Sequence, residues 1–252
     1  MKRLELIAPG QIPEIVEGDD LPQIIADAFR GEHVDFQDGD ILIVTHKIVS
    51  KMEGRVYDLR EIVPSDAALT LASRCGKPAS LVELILRESK CVMKVRQGVL
   101  IMRHRLGLIC ANAGVDQSNS GGESQAVLLP ECPDQSAKAI HDGIKRLTKR
   151  SVPVLISDSQ GRPFRNGTLG IAIGCYGLEP MRDYRGRHDR QGHILQSSVE
   201  ALADELCCAA SLLMGQSNES LPVVLIRGAE YLRAHTSASR LLRSEEQDLF
   251  LN

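Results

Sequence analysis

The chain has 252 residues, 43% of them hydrophobic and 25% charged, with a formal net charge of -3; this is ordinary globular composition, enough to bury a core as one large domain or two small ones. The acidic balance, with no compensating Lys/Arg run, argues against a nucleic-acid surface; no signal peptide is expected, and no apolar stretch approaches the roughly 20 residues of a bilayer span. Seven cysteines without a C-x-x-C pair disfavour a zinc site or a disulfide framework and fit reduced thiols in a cytoplasm.

Leu4 to Ala8 reads as a short strand running into a loop, Pro9 to Ile15, whose prolines and glycine forbid a helix or central strand. Asp19 or Asp20 caps a helix predicted over Leu21 to Arg30, with Pro22 in its first turn and Ile24, Ile25, Ala28 and Phe29 as its apolar stripe. After the turn Asp38-Gly39-Asp40, Ile41 to Thr45 is apolar throughout, as in a strand buried on both faces. His46, Lys47, Ser50 and Lys51 follow at its carboxyl end, where Lys51 could offer a phosphate a point charge, although a lone lysine after a strand is more often plain surface.

Ser65 to Lys90 has the texture of two helices broken at Gly76-Lys77-Pro78. Cys91 to Val95, Val99 to Met102 and Leu106 to Ala111 read as three short strands, which makes an antiparallel portion part of the fold. Asn112 to Gly122 is too polar and glycine-rich to pack, and it carries Asp116, Ser118 and Asn119. It reads equally well as an exposed loop; its pairing with a second acid downstream raises the functional reading, because two separated acids can bracket metal ions.

An amphipathic helix is predicted over Pro133 to Leu147, leading into the strand Val152 to Ile156. At the carboxyl end of that strand, Asp158 and Ser159 offer hard oxygen ligands for magnesium or manganese, and Arg162 and Arg165 offer planar donors for phosphate or carboxylate. The segment Ser157 to Gly167 is expected to be a site loop, with a solvated turn as the alternative. Gly167 to Gly177 is small and apolar, suited to close backbone approach or a flat ligand. Arg182 to Arg190 is a dense polar loop, open to contact with an anionic substrate or simply solvated. Ser197-Ser-Val-Glu200 has the spacing of a capping box for a long helix that buries Val199, Leu202, Leu206, Ala209 and Leu213 and stops at Gly215. Leu221 to Ile226 is a further buried strand. No repeat or linker divides the chain, so a single α/β domain of mixed parallel and antiparallel sheets with flanking helices, over residues 1–252, is expected, with room for two subdomains.

No Walker-type phosphate loop is present, so residue patterns alone stop at a metal-dependent phosphate site. However, Ile12-Pro-Glu-Ile15, Asp38-Gly-Asp40, Lys47-Ile-Val-Ser-Lys51, Ala113-Gly-Val-Asp116 with Ser118-Asn119, Asp158-Ser-x-Gly-Arg162 and Ala203-Asp-Glu205, in this order, strongly resemble the coenzyme F420-0:L-glutamate ligase family. The resemblance runs from about residue 3 to Asp248-Leu-Phe250.

What the resemblance implies is GTP-dependent addition of L-glutamate to the deazaflavin precursor F420-0, first at the α-amine and then through γ-linkages, by way of an acyl phosphate. It implies two manganese or magnesium ions, with potassium as a further ion, and a cytoplasmic homodimer of unusual mixed fold. Carried over by motif, Asp116, Asp158 and Ser159 resemble metal ligands, with Asp116, Asp158 and Lys51 in the catalytic machinery. Ile12, Pro13, Glu14, Ile15, His46, Lys51 and Asn119 resemble GTP contacts, joined by Gly215 and Gln216. His46 stands where serine is common in the family and Ser159 where threonine is common, and His46→Ser is expected to be tolerated. Some relatives carry a C-terminal nitroreductase-like domain, which is not expected here. A metal-dependent phosphatase with Asp158 as nucleophile and a deazaflavin- or nucleotide-binding module without turnover are the alternatives.

Overall fold

A computed structural model describes residues 2–10 and 12–248. Gln11 of the expected loop and the Leu249-Phe250 end of the family resemblance lie outside the described residues. In chain order the elements begin with β1 (Glu5–Ile7), α1 (Leu21–Gly31), β2 (Ile41–Thr45), α2 (His46–Met52) and β3 (Val56–Asp58). They continue with α3 (Asp66–Cys75), α4 (Ala79–Arg87), β4 (Ser89–Arg96), β5 (Val99–His104), β6 (Ile109–Ala111), β7 (Gln125–Val127) and α5 (Pro133–Thr148). The last are β8 (Val154–Arg162), β9 (Arg165–Tyr176), β10 (Arg182–Asp183), β11 (Val199–Glu200), α6 (Leu202–Met214) and β12 (Val223–Arg227).

The central sheet has the order β1-β12-β2-β8-β9, and only β2 and β8 pair in parallel. Alternate residues of its strands feed two cores, which explains the unbroken apolar runs. Leu42, Val44, Val154 and Ile156 face α1 and α5, with Ile25, Phe29, Ile140 and Ile144. Ile41, Ile43, Leu155, Val224 and Ile226 face α6, with Leu202, Leu206 and Cys207. A third core joins α3, α4 and the antiparallel sheet β4-β5-β6, through residues such as Leu71, Leu81, Leu84, Leu100 and Met102. The fold is therefore mixed α/β, with parallel and antiparallel pairing in one chain.

Most expected elements are present within one or two residues, and the caps explain their ends. Asp20 accepts from the Gln23 backbone N–H at the start of α1, Ser65 does the same for Ala68 at α3, and Gly76 takes φ 69° to end α3. Four expectations are corrected. Ser157 to Gly167 is not a loop: β8 continues to Arg162 and pairs with β9, turning at Pro163-Phe164, so beyond the buried Ser157 its residues alternate between half-buried and exposed along a ribbon whose backbone is satisfied by its partner strand. Ser197 to Glu200 is not a capping box: Val199 and Glu200 pair with β10, Glu200 is held by Arg182 at 2.7 Å, and α6 begins only at Leu202 with Asp204 and Glu205 in its first turn. The polar segment from Arg182 is accordingly paired, not a plain loop. His104, expected in the connection after Met102, belongs to β5 and is fully buried.

Gly170 and Gly174 show why β9 is built of small residues. A Cβ at Gly170 would sit 2.5 Å from the Cys207 carbonyl oxygen of α6, and one at Gly174 would sit 2.6 Å from the Pro133 carbonyl of α5. Glycine lets both helices lie directly on the strand.

Candidate active site

A cleft of about 840 Å³ opens where β2 ends. Its position follows from register. Thr45, the last residue of β2, pairs with Ser157 of β8; β2 then turns into α2 while β8 goes on. Asp158 is thus the first residue of β8 beyond its parallel neighbour, at the carboxyl edge where α/β sheets bind ligands, and His46 is the residue beside it. The His46 Nε2 lies 3.3 Å from Asp158 Oδ1, and its Nδ1 lies 3.4 Å from Ser50 Oγ. Asp158 Oδ1 also accepts the Ser159 backbone N–H at 2.8 Å, and Oδ2 accepts Gln160 Nε2 at 2.9 Å. Burial pushes this carboxyl up, but the imidazole of His46 and the donors from Gln160 and Ser159 outweigh it and hold Asp158 below the ordinary carboxylate range.

The second acid arrives from a different element. Asn112, Ala113 and Gly114 take φ 53°, 51° and 69° in succession, a left-handed turn that two non-glycine residues rarely adopt. It delivers the chain to Asp116, whose backbone is clamped to Val127 in both directions, at 3.0 and 2.7 Å. Its Oδ2 lies 2.8 Å from Lys47 Nζ, and its Oδ1 accepts the Ser118 backbone N–H at 2.8 Å. Burial raises the Asp116 carboxyl, and Lys47 with Ser118 overcomes that and lowers it. Successive residues of α2 therefore each hold one acid in its charged form: His46 holds Asp158 and Lys47 holds Asp116.

One turn further along α2, Lys51 pairs with Glu14, which brings the Ile12–Ile15 segment onto the cleft. The stretch after α6 also lines the cleft, where Gln216 Nε2 donates to Ser159 Oγ at 3.0 Å and Asn119 Nδ2 donates to the Ser217 carbonyl at 3.1 Å. The structure thus brings Ile12, Pro13, Glu14, Ile15, His46, Lys51, Asp116, Asn119, Asp158, Ser159, Gly215 and Gln216 to one cleft. It does not bring Arg162 and Arg165 there: they face each other at the tip of the β8–β9 hairpin, and Arg162 donates to the Gly167 carbonyl. Lys47, Thr168 and Ser211 line the cleft without having been singled out as site residues. For Lys47 a signal existed, since it lies four residues before Lys51 and so on the same helical face.

Asp116, Asp158 and Ser159 supply carboxylate and hydroxyl oxygens, the donor chemistry of a hard divalent cation. Among the described residues no three His, Cys, Asp or Glu side chains cluster as a closed metal cage. Two acids and a hydroxyl suit an ion whose remaining ligands are phosphate oxygens and water, the usual arrangement around magnesium. Among the described residues no helix is long and apolar enough to cross a membrane.

Residues 10–228 match the family model for F420-0:gamma-glutamyl ligase. The chain is 43% identical to the coenzyme F420:L-glutamate ligase of Methanothermobacter thermautotrophicus, over 98% of each chain. It is 41% identical to that of Methanopyrus kandleri over 92% of each, and 40% identical to that of Archaeoglobus fulgidus over 98% of this chain and 96% of the relative.

Proposed function

The chain belongs to the F420-0:gamma-glutamyl ligase family, and from that premise we propose that it uses GTP to join L-glutamate to F420-0 and then to add further glutamates through γ-linkages. As family membership makes it a ligase of F420 biosynthesis, the finer reading concerns how the cleft works. The observation that carries it is the pair of ionised acids, Asp116 and Asp158, presented from separate elements across one cleft beside Lys47 and Lys51.

In this reading GTP lies along the Ile12–Ile15 segment, with Asn119, Gly215 and Gln216 as further contacts and Lys51 beside its phosphates. Asp116, Asp158 and Ser159 hold manganese or magnesium, which supplies charge neutralisation to the phosphates. The γ-phosphoryl passes to the acceptor carboxylate, giving GDP and an acyl phosphate. The glutamate amine then attacks the acyl carbon, the C–O bond to phosphate breaks, and inorganic phosphate leaves as the amide forms. The chain's task is to hold the two anionic reactants together and to exclude water. A homodimer, a cytoplasmic setting and a further potassium ion belong to the same reading by resemblance.

A phosphatase reaction on Asp158 fits the geometry less well, because its side chain is 11% exposed and both oxygens already accept hydrogen bonds. Nucleotide product analysis separates the possibilities. With manganese, GTP, F420-0 and glutamate, GDP should form together with a product heavier by one or more glutamyl residues. Phosphate release with neither acceptor nor glutamate would indicate a phosphatase, and binding without turnover would indicate a carrier or sensor.

A further inference from the structure

The Lys47 ammonium sits among three oxygens of three kinds. It lies 2.8 Å from Asp116 Oδ2, 2.7 Å from Ser118 Oγ and 2.9 Å from the Ser118 carbonyl. Carboxylate, hydroxyl and carbonyl are the donors that a hard cation collects, and here the collected cation is a lysine. The other Asp116 oxygen is turned to the Ser118 backbone N–H. A divalent ion approaching Asp116 from the cleft therefore meets an oxygen already neutralised by a fixed positive charge.

We propose that Lys47 is a displaceable counter-cation: in the metal-free protein it neutralises Asp116, whose position is kept by the Val127 backbone clamp and the Ser118 N–H, and a divalent ion binds by taking Asp116 Oδ2 from it. This rests on the reading of Asp116 as a metal ligand. Lys47 is a positioning residue in this role, since it acts through Asp116. Its side chain is 24% exposed and its stem is flexible, so the ammonium can swing into the cleft without unfolding α2. The displaced charge remains beside the cleft, where it adds to the attraction for anionic phosphates. Binding of the ion and of a nucleotide then reinforce each other, because each favours the swung-out lysine.

The test is manganese binding to the nucleotide-free protein, read from the electron-spin resonance of free manganese in wild type, Lys47→Met and Asp116→Asn. Removing the competing cation should tighten manganese binding in Lys47→Met by about tenfold, whereas Asp116→Asn should weaken it by a similar factor or more. Weak binding in Asp116→Asn with binding equal to or weaker than wild type in Lys47→Met would overturn the role of Lys47 and leave the metal site standing. Wild-type affinity in Asp116→Asn would remove the metal reading of that residue and the proposal with it. A measurement on the unaltered protein covers a Lys47→Met variant that fails to fold. Acylation of Lys47, read by peptide mass against the exposed Lys94, should accelerate several-fold as manganese saturates the site. A rate that manganese leaves unchanged would overturn the proposal.

Discussion

Asp158→Asn keeps the volume of the side chain and deletes the charge that His46, Ser159 and Gln160 are arranged around. Ligation at saturating manganese should fall by roughly 100-fold or more while the thermal midpoint is kept; retained turnover would remove Asp158 from the site. His46→Ser, which the sequence alone suggests is harmless, takes on a different expectation. His46 is 3% exposed and is the nearest basic partner of Asp158, so its loss should reduce metal affinity or activity on the order of 10- to 100-fold. Wild-type kinetics in His46→Ser would show that Asp158 needs no partner there. At this scale the placement of the two acids in one cleft was foreshadowed by their pairing and by the family motifs that carry them, since the stretch around Asp116 alone reads equally well as an exposed loop. Their partners were not: Lys47 reaches Ser118 across 71 residues of sequence, and no local pattern encodes that distance. Arg162 and Arg165 lie outside the cleft, at the tip of the β8–β9 hairpin, and donor chemistry says nothing about the direction in which a hairpin points.

The elements were legible wherever burial and caps agreed, as at α1 and α3, where Asp20, Ser65 and Gly76 mark the ends. They were misread where a polar pattern serves two structures. Serine and glutamate three residues apart suit a capping box, but Glu200 is drawn to Arg182 and its strand pairs instead. A run such as Ser157 to Arg162 resembles a loop until its partner strand is known. The packing of α6 on β9 gives a direct test. In Gly170→Ala the new methyl would meet the Cys207 carbonyl oxygen at 2.5 Å, so the helix must shift, at a cost of about 1–3 kcal/mol. Because Gly215 and Gln216 follow α6 into the cleft, the Michaelis constant for GTP should rise as well. Lowered stability with unchanged GTP kinetics would mean that the rim is set independently of the helix.

Across the whole molecule, the third core is tied to the remainder by a buried charge cluster. Glu88, 6% exposed, accepts from Arg55 at 2.6 Å, Arg105 at 3.2 Å and His104 at 3.3 Å. Burial raises its carboxyl, but His104, Arg55 and Arg105 together lower it from 4.5 to about 2. A carboxyl depressed on folding stabilises the protein fully above its unfolded value, and that stability is lost as pH falls through the folded value. Wild-type stability should therefore decline between about pH 4.5 and pH 2, and Glu88→Gln should lose roughly 3–5 kcal/mol at neutral pH and show a flatter acid slope in denaturant melts. An unchanged slope would place the acid-sensitive group elsewhere. The overall class of mixed α/β fold was legible from its apolar runs, whereas this long-range cluster was not, since its members are scattered from Arg55 to Arg105. The proposed function turns on transfer of a phosphoryl group to a carboxylate, and one isotope measurement reads that step alone. With F420-0 labelled by heavy oxygen in its carboxylate, incubated with the protein, GTP, glutamate and manganese, the inorganic phosphate formed should carry one labelled oxygen for each F420-0 molecule that receives its first glutamate. Formation of the first amide with no label in the phosphate would contradict an acyl-phosphate ligase.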